Sequence, residues 1–296
     1  MKPGRSLSTF LQYQLFFLPI IVVYSVFTMY PLLKTWLLSF TNFDGYNPNY
    51  KFIGIKNYVA IFYDEAILSA LSFTLLYTVL SVVLTTVVAI PLAIVLNMNT
   101  YTKNLQRSVF FFPSVMSGLL IGYVWGYIFS PLESGVLNTF LTSVLGLEPV
   151  SWLSDPTLSR LSSVIVHVWA IAGWHAVLYL AFMQSIPKDY YEAASIDGAT
   201  ALQRVRFITI PLLRNAMAVS VMLILTGSLK VYEIPFALTN GGGPGYTNYT
   251  ITQVTILRGI SELQMGKAAA MSIVFFLMVM AFTFLQFHTM QKNGED

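Results

Sequence analysis

Long apolar stretches alternate with short polar ones along most of this 296-residue chain. Six stretches are long and apolar enough to cross a bilayer as helices, which takes about 20 residues each. One polar island, residues 187–211, separates the fourth stretch from the fifth. The pattern predicts an all-α polytopic membrane protein that forms a single transmembrane domain. The six predicted spans are residues 15–38, 67–96, 109–129, 161–184, 212–232 and 268–287.

The polar island has the pattern of two short helices joined at a bend. Asp189 places negative charge near the positive start of the first helix. Asp197-Gly198 is typical of a turn, and Thr200 with Gln203 has the spacing of a capping box. On spacing alone, an ordinary amphipathic loop between membrane helices is the simpler interpretation.

A longer motif runs through the same island: Glu192-Ala193-Ala194, then Gly198, then Ile208-Thr209-Ile210-Pro211. Its order resembles the EAA motif of the membrane subunits of binding-protein-dependent ABC importers, with Ile210 where the family usually has Leu. The resemblance implies a type I ABC importer permease fold, in which residues 187–211 form a coupling helix pair that docks on a separate ATP-hydrolysing subunit. The residues with implied coupling roles are Glu192, Ala193, Ala194, Asp197 and Gly198.

Composition places the chain in a membrane and excludes several kinds of chemistry. It is 56% hydrophobic and 10% charged with a mean hydropathy of +0.67, so it has too few charges to cover a water-soluble surface of this size. The absence of cysteine excludes disulfides, a thiolate nucleophile and cysteine metal sites. No cluster of Lys and Arg suggests a nucleic-acid partner, and we expect neither a cofactor nor a bound metal.

The distribution of positive charge predicts the orientation in the membrane. Nine of the 16 Lys and Arg residues, but only five of the 13 acidic residues, lie on the side of the N-terminus if all six spans cross. The positive-inside rule then places both termini and the polar island in the cytoplasm. The first apolar stretch is too long for a cleaved signal and is interpreted as a retained signal anchor. The nine basic residues are Lys2, Arg5, Lys103, Arg107, Lys188, Arg204, Arg206, Arg214 and Lys292.

The resemblance extends over nearly the whole chain and narrows to the carbohydrate branch of these importers, which includes maltose and oligosaccharide permeases. The segments that match this branch are 30–31, 39–43, 52–58, Pro113-Ser114, Trp125, Gly135 to Asn138 and 152–156. In the third span, Gly118, Gly122 and Gly126 recur every four residues, which predicts a smooth helix face against which a neighbour can pack closely.

The glycine-rich run at 238–245 invites comparison with a phosphate-binding loop. It lacks the Lys-Ser/Thr that such a loop requires, and the predicted orientation places it outside, away from ATP. It resembles the Leu-Thr-x-Gly-Gly-Pro run of the carbohydrate permeases. We expect irregular backbone here that lines a cavity or is covered by protein.

Two charged residues near the end of the fifth predicted span are the first candidates for contact with a solute. Lys230 and Glu233 are three residues apart, so in a helix they would share a face and neutralise each other. An interfacial position, with Lys230 reaching to water, explains them equally well. In the permeases that this chain resembles, the corresponding stretch contributes to the sugar site, which implies solute-binding roles for Lys230, Val231, Tyr232 and Glu233.

The fourth predicted span carries an unusual number of aromatic residues, among them His167 and Trp169. Aromatic rings stack on the apolar faces of sugars and polar groups bind their hydroxyls, so Trp174, His175 and Tyr179 are further solute-binding candidates. Packing against a neighbouring helix is the ordinary alternative.

The leading hypothesis is a permease subunit of an ATP-driven carbohydrate importer in a bacterial or archaeal cytoplasmic membrane. It implies four protein or ligand partners besides membrane lipid: a second permease subunit, a pair of ATP-binding subunits, an extracellular solute-binding protein and a carbohydrate, of the oligosaccharide type. The chain has no Walker motif, so it is not expected to be an enzyme. The alternatives are an ion-gradient-driven secondary transporter, an ABC importer for glycerol phosphate or a polyol, and an intramembrane enzyme.

Overall fold

The computed structural model describes the backbone of residues 7–292 and the side chains of residues 15–288. Lys2 and Arg5, which contribute to the predicted orientation, lie outside the described residues. The α-helices of the described part are α1 (Leu7–Tyr24), α2 (Tyr30–Leu38), α3 (Lys56–Ile61), α4 (Glu65–Asn97), α5 (Lys103–Phe111), α6 (Gly118–Ile128), α7 (Val136–Leu145), α8 (Pro156–Gln184), α9 (Asp189–Ile196), α10 (Ala201–Arg204), α11 (Ile210–Leu212), α12 (Arg214–Leu229), α13 (Glu233–Leu238), α14 (Ile251–Ile256) and α15 (Met265–Lys292). Between them lie π turns at Ser25–Met29, Val205–Thr209 and Leu257–Ser261 and a 3-10 turn at Phe112–Val115.

The described residues include four helical segments that are long and apolar enough to cross a membrane, or up to six if each of two bent pairs is one span. The four are Leu15–Leu38, Glu65–Asn97, Pro156–Gln184 and Met265–His288. The bent pairs turn by 98° between Lys103–Val115 and Gly118–Ile128, and by 65° between Ala201–Leu212 and Arg214–Leu229. The prediction of a helical polytopic membrane protein is confirmed, while the number of six spans stays a prediction.

The described residues pack as two compact units, and two of the boundaries between them fall inside α14 and α15. The first unit comprises residues 7–63 and 255–276, and the second comprises residues 64–254 and 277–292. The prediction of a single transmembrane domain stays a prediction.

In the first unit, the segment that follows α2 is held by side-chain hydrogen bonds. The amide of Asn57 donates to the carbonyls of Ser39 and Thr41 at 2.9 and 2.8 Å. Ser39 Oγ and the hydroxyl of Tyr58 are 2.7 Å apart. Segments 39–43 and 52–58, which both match the carbohydrate branch, therefore form one hydrogen-bonded element.

The second unit is built on α4, α8 and α12. Phe73 and Tyr77 in the first half of α4 pack on Val164 and Val168 in the first half of α8, so these two helices run parallel. A second cluster, here named the apolar end cluster, joins the ends of α4 and α8 to the start of α12, which therefore runs antiparallel to them. Its members are Ala89, Ala93, Leu96, Ala176, Tyr179, Leu180, Met183, Leu213 and Ala216.

Asn138 in α7 is fully buried and organises the stretch between α6 and α8. Its amide nitrogen donates to the carbonyls of Ser130, Leu132 and Val150 at 3.3, 3.3 and 3.0 Å. Its carbonyl accepts from the amide of Val150 at 3.0 Å and from the indole of Trp152 at 2.9 Å. One side chain thus holds three segments of the chain together.

We expect Asn138→Ala to lower the stability of the protein by about 2–3 kcal/mol, because it leaves buried donors and acceptors without partners. The matched control is Asn104→Ala, which changes an exposed Asn on α5. Thermal unfolding of the purified variants measures the difference. Equal melting temperatures for the two variants would contradict the role assigned to Asn138.

Candidate functional site

The polar island forms α9 and α10, joined by a tight bend. Gly198 in the bend has φ +78°, a left-handed conformation that residues with a Cβ rarely adopt. Thr200 Oγ1 accepts from the amide of Gln203 at 3.3 Å, and Gln203 Oε1 accepts from the amide of Thr200 at 2.7 Å. The predicted pair of short helices and the predicted capping box are both confirmed.

The bend has an acidic and apolar surface. Glu192 lies in the first turn of α9 and is exposed. Ile196 and Leu202 are 87% and 77% exposed on either side of the bend. A hollow of about 300 Å³ has Ala194 and Gly198 in its lining. Exposed apolar side chains next to an acidic helix start are typical of a protein docking surface.

Side-chain hydrogen bonds tie α9 to the segment that follows it. Arg204 Nη1 donates to Ser195 Oγ at 2.9 Å, and the hydroxyls of Tyr191 and Thr209 are 3.1 Å apart. These bonds connect α9 to α10 and to the π turn that leads toward α12.

A cavity of about 400 Å³ lies beside two helix breaks of the second unit. One wall is the irregular segment between α12 and α13, and another is the 3-10 turn that precedes α6. Lys230, Val231, Tyr232 and Glu233 all line this cavity, and Lys230 and Glu233 are exposed. The structure therefore brings the first group of solute-binding candidates together at one cavity.

The backbone at this cavity corrects the expectation that Lys230 and Glu233 share one helix face. Helix α12 ends at Leu229, and Tyr232 has φ −140° and ψ −54° before α13 begins. Pro235 in the first turn of α13 favours this break, because it has no amide hydrogen and its ring would overlap the carbonyl of residue 231 in a continuous helix. In the part of the chain that the structure describes, no ion pair joins Lys230 to Glu233. Both charged side chains therefore line the cavity without forming an ion pair with each other.

The glycines of α6 face α13, as the smooth-face interpretation predicts. A Cβ added to Gly118 would lie 2.5 Å from Glu233 Oε2, and one added to Gly122 would lie 2.6 Å from the Cβ of Ala237. Gly126 continues the same face at the far end of α13. This close packing sets the position of Glu233 in the cavity wall.

Gly122→Ala is expected to destabilise the protein by about 1–3 kcal/mol, because the added methyl group pushes α13 away from α6. It should also weaken solute binding at the cavity. Gly227→Ala is the matched control, since Gly227 is a helix glycine with open space around it and a Cβ there favours the helix. Melting temperature and solute affinity of both variants provide the check, and a Gly122→Ala protein as stable as Gly227→Ala would refute the packing argument.

Two further residues line the cavity: Ser114, which was not among the predicted solute-binding residues, and His167, one of the aromatic residues noted in the fourth predicted span. Ser114 Oγ donates to the carbonyl of Ala170 at 2.8 Å and joins the helix break to α8. His167 Nε2 lies 3.4 Å from Ser228 Oγ, close to the end of α12. The signal that could have found Ser114 is the neighbouring Pro113, because a proline inside an apolar span favours irregular backbone, which membrane proteins keep beside a cavity or under protein.

Trp174, His175 and Tyr179 lie farther along α8 and do not line this cavity. His175 is buried and its Nδ1 is 2.8 Å from Ser220 Oγ on α12. Tyr179 is fully buried in the apolar end cluster. Trp174 packs edge-on against His175, with ring centroids 4.8 Å apart. The structure thus places His175 and Tyr179 in helix packing and leaves Trp174 exposed, all three apart from Lys230 to Glu233.

Comparison with known proteins identifies the family. A family model described as the inner membrane component of binding-protein-dependent transport systems matches residues 66–292. The chain belongs to this family. Membership confirms the resemblance inferred from the EAA motif, and it makes the chain a multi-pass transport component rather than an enzyme.

The permease is similar to relatives along almost its whole length. It is 33% identical to the probable ABC transporter permease protein YurN of Bacillus subtilis, over 95% of this chain and 97% of the relative. It is 32% identical to the lactose transport system permease protein LacF of Rhizobium radiobacter, over 94% of each chain. Among solved structures, a chain of a bacterial ABC transporter involved in the import of the acidic polysaccharide alginate matches with a TM-score of 0.81 and 25% identity, over 96% of both chains. The predicted permease fold is therefore confirmed.

The glycine-rich run of the permease is irregular, as expected. Gly241, Gly242 and Gly243 have φ of +109°, +142° and +74°. Gly242 packs against the ring of Tyr249, where a Cβ would overlap the ring. Gly243 and its neighbours line a second cavity, of about 490 Å³, together with Tyr127. The run is therefore both covered by protein and part of a cavity wall.

Proposed function

We propose that the chain is the permease subunit of an ATP-driven importer that moves a carbohydrate of the oligosaccharide type across the cytoplasmic membrane. The observation that supports this most is that one helical unit connects a cavity to an exposed bend through rigid helices. Helix α8 runs from the cavity at Ala170 to Gln184, roughly 20 Å, and leads directly into α9. Helix α12 returns from the bend to Lys230 at the cavity.

The bend is the proposed attachment point for the ATP-binding subunits. Glu192 supplies an anion for a basic side chain of that partner, and Ile196 and Leu202 supply apolar area. Ala193 and Ala194 keep the face of α9 shallow, while Asp197 and Gly198 form the bend itself. Closure of the ATP-binding pair would then move α9 and α10, and α8 and α12 would transmit the movement to the cavity.

The cavity is the proposed solute site. Lys230 and Glu233 offer charged hydrogen-bond donors and acceptors to hydroxyl groups, and Tyr232 offers a ring for stacking on a sugar face. The ring of Tyr232 is already stacked on that of Phe236, at 5.1 Å between centroids, which holds it in place. Lactose and alginate, named for the two relatives, differ in charge, so the family resemblance supports a carbohydrate without specifying its charge.

The proposed assembly contains a second permease subunit, a pair of ATP-binding subunits and an extracellular solute-binding protein. The family description supports dependence on a binding protein. Both termini and the α9–α10 bend would lie in the cytoplasm, and the glycine-rich run outside. This orientation follows from the distribution of Lys and Arg and gives the ATP-binding subunits access to Glu192.

Uptake by the complete transporter tests the substrate class. Vesicles containing the assembled complex, with its binding protein outside and ATP inside, are offered labelled oligosaccharides, polyols, glycerol phosphate and amino acids. We expect accumulation of at least one oligosaccharide. Accumulation of glycerol phosphate or a polyol with no oligosaccharide transported would overturn the carbohydrate assignment, while transport that proceeds without ATP would overturn the importer assignment.

A further inference from the structure

Three hydroxyl groups follow one face of α4 inside the second unit. Tyr77, Ser81 and Thr85 are fully buried, and none of their hydroxyl oxygens has a hydrogen-bond partner among the described residues. They are spaced four residues apart, so they lie above one another over about 12 Å. A row of unpartnered polar atoms in the interior of a helical bundle requires an explanation.

The other threonines of α4 show how such hydroxyl groups are normally satisfied within a helix. Thr74, Thr78 and Thr86 each donate to the carbonyl four residues earlier, all at 2.7 Å. Ser81 and Thr85 could form the same bond without leaving the helix, but neither of them does. The missing bonds at these fully buried hydroxyl groups therefore indicate a partner that lies between the helices.

The facing helices supply further polar groups along the same row. His167 on α8 packs its ring 5.1 Å from that of Tyr77, and its Nδ1 is buried without a hydrogen-bond partner in the described chain. Two bonds cross between α8 and α12 at this depth, His167 to Ser228 and His175 to Ser220. We call the space between these groups of α4, α8 and α12 the polar seam.

The polar seam begins at the cavity and ends at the apolar end cluster. His167 lines the cavity, and the row from Tyr77 to Thr85 leads from it toward the apolar end cluster. Counting four residues at a time from Tyr77 and Val168 along the two parallel helices brings Ser81 level with Ala172 and Thr85 level with Ala176, which are both small and buried. Buried polar groups that lack a protein partner are the setting in which proteins hold internal water.

We propose that the polar seam is a binding site for a file of ordered water molecules that enters from the cavity at His167 and ends at the apolar end cluster. Each water molecule would join two or more of the unpartnered groups, as buried water does elsewhere. Water also permits the three helices to shift against one another. Hydrogen bonds that pass through a water molecule can re-form after a small displacement, whereas direct hydrogen bonds between side chains would be lost. This inference concerns the helix interior and stands independently of which solute the permease carries.

Hydroxyl-radical labelling by X-ray radiolysis tests the proposal in the complete transporter, because radicals formed from bound water oxidise the side chains that touch it. Tyr77 and Phe73 are both fully buried on the same face of α4, so Phe73 is the internal reference. Each rate is divided by that of the same residue in the denatured protein. We expect Tyr77 to be labelled several-fold faster than Phe73. Labelling of Tyr77 no faster than that of Phe73 would overturn the proposal.

A pair of isosteric changes identifies the groups that hold the water. The double variant Ser81→Ala, Thr85→Val should lower the labelling rate of Tyr77 and also the melting temperature, because it removes hydroxyl groups that bind water. Thr78→Val removes a hydroxyl that bonds within its own helix and should leave Tyr77 labelling unchanged. A rate at Tyr77 that the double variant leaves unchanged, or that Thr78→Val lowers equally, would contradict the assignment.

Discussion

Gly198→Val is expected to abolish ATP-driven uptake by the assembled transporter while leaving the permease in the membrane. Gly198 has φ +78°, and a β-branched residue held there costs roughly 1–3 kcal/mol. An added Cβ meets no atom within 4 Å, so the substitution acts through the backbone alone. Relief of the strain changes the angle between α9 and α10 and displaces Glu192 from its partner. Uptake and ATP hydrolysis, measured together in vesicles, should show hydrolysis that no longer drives transport.

The chain provides a matched control for this change. Gly146, which ends α7, has φ +64° and also has no atom within 4 Å of an added Cβ. Gly146→Val introduces comparable strain away from the bend, and we expect it to keep most of the uptake. Wild-type uptake by Gly198→Val, or equal losses in both variants, would show that the bend has no special role in coupling.

Glu233→Gln is expected to lower the rate of uptake at low solute concentration roughly ten- to a hundredfold. The reason is that the variant loses a hydrogen bond between the solute and a charged group, and the free energy of such a bond corresponds to a change of this size. The amide has the same volume as the carboxylate, so the close packing against Gly118 is kept and only the charge is lost. Initial uptake rates over a range of solute-loaded binding protein give the effect. ATP hydrolysis in the absence of solute should stay at the wild-type level.

Glu133→Gln is the control for loss of a carboxylate elsewhere in the chain. Glu133 is exposed in the segment between α6 and α7 and does not line the cavity. We expect its uptake to equal that of the wild type. If Glu233→Gln also transports at the wild-type rate, the solute site lies elsewhere.

The α9–α10 bend could be predicted in detail because its signals are local. An acidic first turn, Asp197-Gly198 and the pair Thr200 and Gln203 act within a few residues of one another, and each determines backbone conformation at its own position. The glycine face of α6 was predictable for a related reason, since helical periodicity alone brings Gly118 and Gly122 to one side.

The break inside the third predicted span was not predicted, although Pro113 is visible there in the sequence. The fifth predicted span ends at residue 232, within three residues of the end of α12 at Leu229. The stretch around Pro113, residues 109–129, is apolar over about 20 residues, and apolar length alone suggests one continuous span. Pro113 removes a backbone donor, and the chain turns by 98° just after it, between Val115 and Gly118. The same apolar pattern at Pro91 contains an unbroken α4, so proline alone does not determine where a helix ends. The packing of α13 against the α6 glycines accompanies the break at Lys230.

For the second group of solute-binding candidates, Trp174, His175 and Tyr179, helical periodicity alone does not determine what covers each side chain. His175 and Tyr179 lie on faces of α8 that the sequence marks as polar or aromatic, and either a cavity or a neighbouring helix could cover them. Only the position of α12 decides, since it places Ser220 next to His175. Likewise, the sequence draws attention to Asn138 but contains no sign of the five bonds that it forms.

Reconstitution with and without the ATP-binding subunits tests the central claim that attachment of a separate ATPase at the α9–α10 bend powers transport. Vesicles containing both permease subunits, with the binding protein outside and ATP inside, are compared before and after the ATP-binding subunits are added. We predict accumulation of solute only when those subunits are present. Accumulation by this chain in their absence would contradict the claim.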